Sequence, residues 1–454
     1  MDVPSGPARP GAIPHRGDVD PIDDLALPRD AALNALTAVL DQVRHGRARS
    51  RRGIVSETGL SRSIVVQRVG ELLERGLLRE GEVGPSTGGR PPRQVTFRGD
   101  AGHLLVADLG ATSIDVAVTT LDARVLNHAA EPADIAAGPE VVLSRVEELF
   151  DRLLGGTPSI PGRVWGVGIG VPGPVEFRSG RPISPPIMPG WDRYGIRDRL
   201  GARLEAPVWV DNDVNVLGLG EWRAGAAADH DNVLIVKVGT GIGAGIIADG
   251  RIYRGAQGAA GDVGHIQISD ETSIVCRCGE RGCLEALAGG AAIARDGEAA
   301  ARAGESARLS AILEARGHLT AEDVADAAAH GDAVSAALLT AAGGRIGSML
   351  AAVVNFFNPS LIVIAGGVAQ SGDRFLAAIR EAVYRRSLPL ATRELRVVPS
   401  SLGATAGVVG AATMVADELF SRERVAETLE WAGGRSPSPR PRPASGPVLT
   451  EAVL

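Results

Sequence analysis

The stretch GDVGHIQISDETSIVCRCGERGCLEA, residues 261–286, contains every cysteine of the chain and a histidine shortly before them. The four side chains are His265, Cys276, Cys278 and Cys283. One imidazole and three thiolates form the donor set of a tetrahedral structural zinc site, which would fix an irregular loop with roughly 10 kcal/mol or more of binding free energy. A reactive thiol and a chance cluster are the alternatives, but no further cysteine is present to resolve an oxidised one. Zinc is therefore the favoured prediction, and the second ring nitrogen of His265 would then be free to face a ligand.

The composition is that of a globular protein of two or three domains, with 454 residues, 44% of them hydrophobic, and a mean hydropathy of +0.08. We find no apolar run of about 18 residues and no signal-peptide core, so we expect a cytoplasmic protein without membrane contact. Three cysteines cannot form a disulfide framework, which agrees with a reducing compartment.

The net charge of −7 is unevenly distributed. Residues 28–98 carry thirteen arginines against seven acidic residues, so this segment is basic on an otherwise acidic chain. Such a segment favours a polyanionic partner, although a merely solvated basic face is the alternative.

Residues 28–98 also show the pattern of a winged helix-turn-helix domain. Apolar residues recur at helical spacing from Leu33, and RRGIVSETGLSRSIVVQRVGELLERGLL then splits at Gly59 into a short helix, a turn and a longer helix capped by Ser61. Two strand-like segments separated by GPSTGGRPP predict a β-hairpin wing. A small helical packing module is the alternative, but the order of elements together with the positive charge favours binding to a double-stranded DNA operator.

The predicted DNA contacts lie on the second helix of this motif, on its flank and on the wing. The start of that helix would present side chains to base edges in the major groove, and nearby arginines would neutralise phosphates. An arginine at the wing tip would enter a narrow minor groove. The residues are Arg52, Ser61, Arg62, Ser63, Gln67, Arg68 and Arg90.

From residue 101 the chain alternates strands with helices, which indicates an α/β domain. HLLVADLGATSIDVAVTTLDARVL, residues 103–126, and NVLIVKVGTGIGAGIIADGRIYRG, residues 232–255, form an approximate internal repeat of strand, glycine turn and strand. We expect two lobes, residues 101–230 and 231–415. Residues 1–27 and 421–454 are rich in proline and in polar or small residues, so we predict disordered tails there.

Two kinds of ligand contact are candidates in this α/β domain. Glycine turns after strands offer N–H groups to phosphates, although tight turns alone are the alternative. The residues concerned are Asp108, Gly110, Thr112, Gly239, Thr240, Gly241 and Gly366. VDNDVNV, residues 210–216, places carboxylates at a strand end, where one can hold sugar hydroxyls or take a proton from them. A turn built on Asx side chains is the alternative there.

The motifs and their order resemble those of the ROK family (repressor, open reading frame, kinase) from about residue 30 to 415. The matching segments are DLGAT, GVGIGVPGPV, PPIMPGW, DNDVNVLGLGEW, VGTGIGAGII, GAQGAAGDVGHI, CRCGERGCLE and IAGGV. The resemblance implies an actin-like, two-lobed sugar-kinase fold of ribonuclease H-like repeats behind a winged helix, zinc on the four side chains named above, and a homodimer or homotetramer. It also implies sugar contacts, with Asp213 as catalytic base in the kinases, and these contacts are Asn212, Asp213, Asp262, His265 and Glu285.

Three departures from the family's kinases concern catalysis. Ala111 and Ser113 stand where the kinases have a glycine and a lysine, which weakens binding of ATP and Mg²⁺. Asp262 replaces a glutamate, and Ile187 stands where many kinases have asparagine. Asp213 and the second glycine turn are intact. We therefore predict a sugar-responsive DNA-binding repressor of carbohydrate-metabolism genes that has kept the pocket and lost the chemistry. An ATP-dependent, glucokinase-like sugar kinase is the alternative.

Overall fold

The computed structural model describes residues 29–83, 93–156, 163–270, 273–370 and 373–432. These residues form two compact units, one of residues 29–97 with 422–432 and one of residues 98–421. The predicted N-terminal tail, residues 433–454 of the predicted C-terminal tail and the wing tip with Arg90 lie outside the described residues.

The first unit contains the predicted helix-turn-helix and the two strands of the wing. Its elements are α1 (Arg29–Arg44), α2 (Arg51–Thr58), α3 (Arg62–Glu74), the antiparallel strands β1 (Leu78–Val83) and β2 (Arg93–Phe97), and the last helix of the chain, α16 (Val425–Ala432). The hydroxyls of Ser50 and Ser61 accept from backbone N–H groups at the starts of α2 and α3. Gly59 ends α2 with a φ of 68°, a left-handed conformation that favours glycine and makes the turn.

Helix α16 corrects the prediction of an unstructured tail from residue 421. Val425, Thr428 and Leu429 are buried, and Arg75 at the end of α3 donates from Nη1 to the Leu429 carbonyl oxygen at 3.1 Å. The segment VAETLEWA is therefore part of the first unit by its contacts, although the whole second unit separates it from α3 in the sequence.

The second unit contains twelve strands and twelve helices in its described residues. The strands are β3 (His103–Leu109), β4 (Ser113–Thr120), β5 (Val125–Pro132), β6 (Val164–Val171), β7 (Val175–Glu176), β8 (Arg181–Pro182), β9 (Val208–Asn212), β10 (Val233–Val238), β11 (Ile242–Ala248), β12 (Arg251–Ile252), β13 (Leu361–Ala365) and β14 (Arg396–Pro399). The helices are α4 (Pro139–Gly156), α5 (Ile196–Leu204), α6 (Asp213–Ala224), α7 (Leu284–Ala288), α8 (Gly290–Arg302), α9 (Ala307–Arg316), α10 (Ala321–Ala329), α11 (Ala333–Phe357), α12 (Gly367–Gln370), α13 (Asp373–Arg386), α14 (Pro389–Thr392) and α15 (Ala406–Leu419).

Two five-stranded sheets with the same topology organise this unit. Their strand orders are β5-β4-β3-β6-β9 and β12-β11-β10-β13-β14. In each, three consecutive strands form an antiparallel meander and two further strands add in parallel beside its first strand. The internal repeat predicted from the two glycine turns is thus a repeat of whole sheets.

Helices α6 and α15 pack against each other at very close range. A Cβ on Gly220 of α6 would lie 2.0 Å from the Ala406 carbonyl oxygen, and one on Gly410 of α15 would lie 1.5 Å from that of Val216. Glycine is required at both positions because no side chain fits between the helices. Helix α15 also packs on β3 and β6, so residues 406–415 belong with the first sheet and not, as predicted, with the second lobe.

Helix α11 is, by length and composition alone, apolar enough to cross a membrane, which the search for apolar runs in the sequence missed. Half of its most apolar window is buried, and the helix packs along α13 in the core beside the second sheet. We interpret α11 as a core helix.

Candidate functional site

A cleft of about 510 Å³ in the second unit collects nearly all the predicted ligand-binding residues. Its wall includes the β3–β4 turn, the start of α6, the β10–β11 turn and α7. The predicted sugar-binding residues on the wall are Asn212, Asp213, Asp262, His265 and Glu285. The predicted nucleotide-binding residues on the wall are Gly110, Thr112, Gly239, Thr240, Gly241 and Gly366, whereas Asp108 does not contribute to it.

The start of α6 places Asn212 and Asp213 at the cleft. Asn212 caps the helix, because its Oδ1 accepts from the N–H groups of Val214 at 2.9 Å and Asn215 at 3.3 Å. Its Nδ2 donates to the Gly173 carbonyl oxygen at 3.0 Å. The Asx geometry considered as an alternative for this segment is therefore present at Asn212, while the next residue turns its carboxylate into the cleft.

Asp213 forms an ion pair with Lys237, which reaches the cleft from β10. Nζ of Lys237 donates to Oδ2 of Asp213 at 2.7 Å, and the two side chains are 21% and 9% exposed. Burial disfavours the charge of Lys237, but the nearby carboxylates of Asp213, Asp108 and Asp115 outweigh it and raise the pKa of the lysine. The carboxylate predicted as a catalytic base thus already has a charged partner.

Asp108 lies at the end of β3, with Oδ1 shielded from solvent and without a hydrogen-bond partner in the described structure. Loss of hydration raises the pKa of Asp108 to about 7; Lys237 opposes this shift, and the negative charges of Asp213 and Asp115 add to it. Glycines at positions 170 and 407 leave room for this carboxyl group, since a Cβ at either would lie 2.7 Å or less from one of its oxygens.

The His265 ring connects the cysteine loop with the cleft. Its Nδ1 lies 3.5 Å from Sγ of Cys276, and its Nε2 lies 3.8 Å from Oδ1 of Asp262 on the cleft wall. One nitrogen therefore faces the thiols and the other faces the cleft, as the zinc prediction requires.

The cysteine loop brings its four donors together in the geometry of a metal site. One ligand atom from each of His265, Cys276, Cys278 and Cys283 lies within 4.8 Å of all the others, and the sulfurs of Cys278 and Cys283 are 3.8 Å apart. Tetrahedral zinc with Zn–S bonds of about 2.3 Å requires sulfur–sulfur edges of about 3.8 Å. The donor set and its spacing therefore fit a metal ion.

Glu285 on α7 and the β10–β11 turn hold each other in place. Oε2 of Glu285 accepts from the Ile242 N–H at 3.1 Å, and a Cβ on Gly241 would lie 2.1 Å from that same oxygen. At Gly241, glycine is thus needed because the Glu285 carboxylate packs directly against the backbone of the turn. This agrees with the alternative in which the glycine turn serves close packing and not phosphate binding.

The predicted DNA contacts lie in the other unit and differ in accessibility. Arg52, Ser61, Arg62 and Ser63 are exposed, and Gln67 is half-buried. Arg68, also predicted to neutralise phosphate, is only 13% exposed and forms an ion pair with Glu71 at 2.7 Å.

Sequence reasoning missed Lys237. The available signal was its rarity, since it is the sole lysine of the 454 residues. It also missed the contact between Asp211 and Arg254, whose Nε donates to Oδ2 of the carboxylate at 2.7 Å while its guanidinium lies 3.7 Å from the centre of the Phe177 ring. Asp211, predicted among the polar residues that could hold a sugar, is thereby fully engaged within the protein.

The chain is similar to both repressors and kinases. The ROK family profile matches residues 105–418. A glucokinase from Halalkalibacterium halodurans is 32% identical over 321 residues, 71% of this chain and 97% of that protein. A xylose repressor from Caldicellulosiruptor bescii is 30% identical over 383 residues, 84% of this chain and 95% of that protein. The crystal structure of a ROK family transcriptional regulator, a homologue of the E. coli MLC protein, is 27% identical with a TM-score of 0.74, covering 88% of this chain and 100% of that one. These likenesses and the repeated sheets confirm the predicted fold.

Proposed function

This chain belongs to the ROK family, and we propose that it is a sugar-responsive repressor of carbohydrate-metabolism genes that acts from the cytoplasm. The observation that carries the proposal is that one chain combines two features. The first is a helix-turn-helix with an exposed arginine, Arg62, at the start of its second helix. The second is a cleft in which Lys237 already binds Asp213, the carboxylate predicted as the catalytic base of a kinase. The xylose repressor aligns over 383 residues and the glucokinase over 321, so the likeness to repressors extends beyond the sugar-kinase domain.

The charge of the cleft supports an uncharged ligand over a nucleotide. The described wall carries four carboxylates, those of Asp213, Asp262, Glu285 and Glu322, and its one ammonium belongs to Lys237. A triphosphate needs cations or Mg²⁺ to offset its charge, and this wall supplies neither an arginine nor an unpaired lysine. We propose that the cleft takes an uncharged sugar rather than ATP, because this wall has no free cation for a triphosphate and offers several hydrogen-bonding partners to sugar hydroxyls.

We also propose that the metal of the cysteine loop is zinc and that its role is positional. The chain uses thiolates and an imidazole at tetrahedral distances, which zinc prefers. Zinc on Nδ1 would fix the His265 ring so that Nε2 faces the sugar.

Ligand binding would alter DNA binding through the arrangement of the subunits in a dimer or tetramer. Closure of the cleft would change the spacing of two winged helices, and operator half-sites about 34 Å apart are sensitive to such a change.

The first test is fluorescence anisotropy of a labelled fragment from the gene's own upstream region against scrambled DNA at fixed salt. We expect preference for the upstream fragment and a shift of binding by one member of a panel of sugars and sugar phosphates. Equal binding to the upstream fragment and to scrambled DNA would contradict the proposal that this protein is a repressor. Sugar-dependent ADP release that disappears in Asp213→Asn would instead support the kinase, which the likeness to the glucokinase keeps as the second candidate.

Two substitutions separate base contacts from phosphate contacts. Arg62→Ala should weaken specific binding by roughly 1–3 kcal/mol and relax the sequence preference, because Arg62 begins the recognition helix. Arg52→Ala should weaken binding to all DNA sequences alike. It should also reduce the slope of log binding constant against log salt concentration by about 1 in magnitude. Arg302→Ala, at a 63% exposed arginine of the second unit, is the matched control and should change neither quantity. Equal loss on specific and scrambled DNA in Arg62→Ala would contradict its assignment.

A further inference from the structure

Lys237 is unusual in both its rarity and its position. Lysine and arginine together number 47, yet this is the sole lysine, so arginine serves wherever else the chain needs a strong cation. An ammonium is a compact point charge, whereas a guanidinium is a wide planar fork. The β10 strand places this compact charge at the wall of the cleft.

One carboxylate contacts the ammonium, and two further acidic groups act on its charge. Asp213 accepts its hydrogen bond at 2.7 Å, and Asp108 and Asp115 are the other acidic groups that act on it. Asp108 and Asp115 face each other as paired residues of β3 and β4. His128 also faces this group, with Nε2 lying 3.3 Å from Oδ1 of Asp115. Carboxylate oxygens gathered in this way are the ligands that Mg²⁺ and Mn²⁺ prefer.

We propose that the Lys237 ammonium is a resident cation of the cleft, which takes the place of a divalent metal ion beside Asp213. A fixed positive charge within hydrogen-bond distance of the carboxylate repels a metal ion from the same oxygen. The same contact leaves Oδ2 of Asp213 unavailable to accept a proton from a sugar hydroxyl. Lys237 is thus a positioning residue, and the cleft holds its ligand without Mg²⁺.

The surroundings exclude the other common role of a lysine in a sugar site. Imine formation with an open-chain sugar requires a neutral amine. The carboxylates around Lys237 outweigh the effect of burial and keep the ammonium protonated. The lysine therefore acts through its charge.

The inference goes beyond the proposed function, because it concerns the cation of the cleft and holds whether or not the protein binds DNA. Its test uses no DNA, so its failure and the failure of the repressor assignment are distinguishable.

The test is a Mn²⁺ titration of the zinc-loaded full-length protein, followed by the electron paramagnetic resonance signal of free Mn²⁺. We expect Lys237→Gln to bind one Mn²⁺ at least about tenfold more tightly than the wild type, because it keeps the carboxylates and loses the repelling charge. Lys237→Arg, which retains a charge, should bind Mn²⁺ as weakly as the wild type. Adding Asp213→Asn to Lys237→Gln should remove the gained site. A folded Lys237→Gln protein that gains no Mn²⁺, or a wild type that binds it equally well, would overturn the inference.

A second measurement needs no variant. Biosynthetic labelling with ¹³Cε-lysine gives a single side-chain NMR signal, because the chain contains one lysine. We expect this signal to stay sharp and unshifted when Mg²⁺ or Mn²⁺ is added. Broadening that saturates at one equivalent of Mn²⁺ would show a metal ion beside Lys237 and would refute the proposal even if Lys237→Gln did not fold.

Discussion

At the scale of single residues, Asp108 couples the stability of the second unit to pH. The pKa of Asp108 rises from 3.8 to about 7 because its carboxyl group loses hydration. At this position the folded protein therefore keeps a proton that the unfolded chain has lost between those values, and the contribution of Asp108 to stability falls as the pH rises through this range. Asp108→Asn stays neutral, so its free energy of unfolding relative to the wild type should increase from about pH 5 to about pH 8 in urea titrations.

Asp198→Asn is the control for this experiment, since that carboxylate is 82% exposed. Its difference from the wild type should stay nearly constant over the same pH range. An Asp108→Asn difference that is equally constant would show that Asp108 is ionised in the folded protein throughout.

The role of a residue could be predicted where the residue belongs to a known motif. It could not be predicted where the role depends on a contact with a residue distant in the sequence. Asn212, Asp213 and His265 lie at the cleft as the motifs predict. Lys237 sits in VLIVKV, a segment that only predicts a strand, and its role arises from Asp213 at a distance of 24 residues in sequence. The ion pair of Arg68 with Glu71, one helical turn later, could not be predicted from the charge pattern alone, so the contact of Arg68 with DNA phosphate stays a prediction.

At the scale of elements, we expect the cysteine loop to depend on the proposed metal ion for its order. The described part of residues 266–283 has only two isolated β-bridges, so ligand bonds would replace the hydrogen bonds of regular structure. Cys278→Ser should lose the single metal of the chain in elemental analysis. It should also make this loop sensitive to limited proteolysis and abolish the response to sugar, because the His265 ring would no longer be fixed.

Asp270→Asn is the matched control in the same loop, at an exposed carboxylate. It should retain the metal, the protease resistance and the sugar response. If Cys278→Ser lacks the metal and still responds to sugar normally, the positional role of the metal is wrong.

Element prediction succeeded where local patterns and contacts agree. Ser50, Gly59 and Ser61 act within a few residues, and the helix-turn-helix could be located from them. Helix α16 was missed because the Pro-, Arg- and Ser-rich sequence after it dominates the composition of the tail. Its eight residues are also too short to be stable alone, so its existence depends on tertiary contacts such as that of Arg75.

At the scale of the whole molecule, the chain passes between the two units twice. It crosses once near residue 97, and it returns near residue 421, between α15 and α16. Helix α15 packs closely on α6, whose first residues line the cleft. A displacement of α6 on ligand binding could therefore pass to α15 through their packing and from α15 to α16 along the chain, a route separate from the N-terminal connection.

This connectivity predicts that truncation after Ser421 uncouples the two functions. Removal of α16 exposes the surface that Val425 and Leu429 cover and leaves Arg75 without its acceptor. We expect the first unit to lose roughly 2–5 kcal/mol of stability, by comparison with large-to-small substitutions in a core. Operator affinity measured by anisotropy should fall accordingly, whereas metal content and sugar binding measured by calorimetry should not change.

The matched control is truncation after Ala432, which removes only residues beyond α16 and should retain operator binding. Leu429→Ala in the full chain should reproduce part of the loss, because it removes one buried side chain and keeps the backbone acceptor of Arg75. If the chain ending at Ser421 binds the operator as the wild type does, α16 is dispensable for the winged helix. If that chain also keeps its sugar response, the signal reaches the DNA through the N-terminal connection alone.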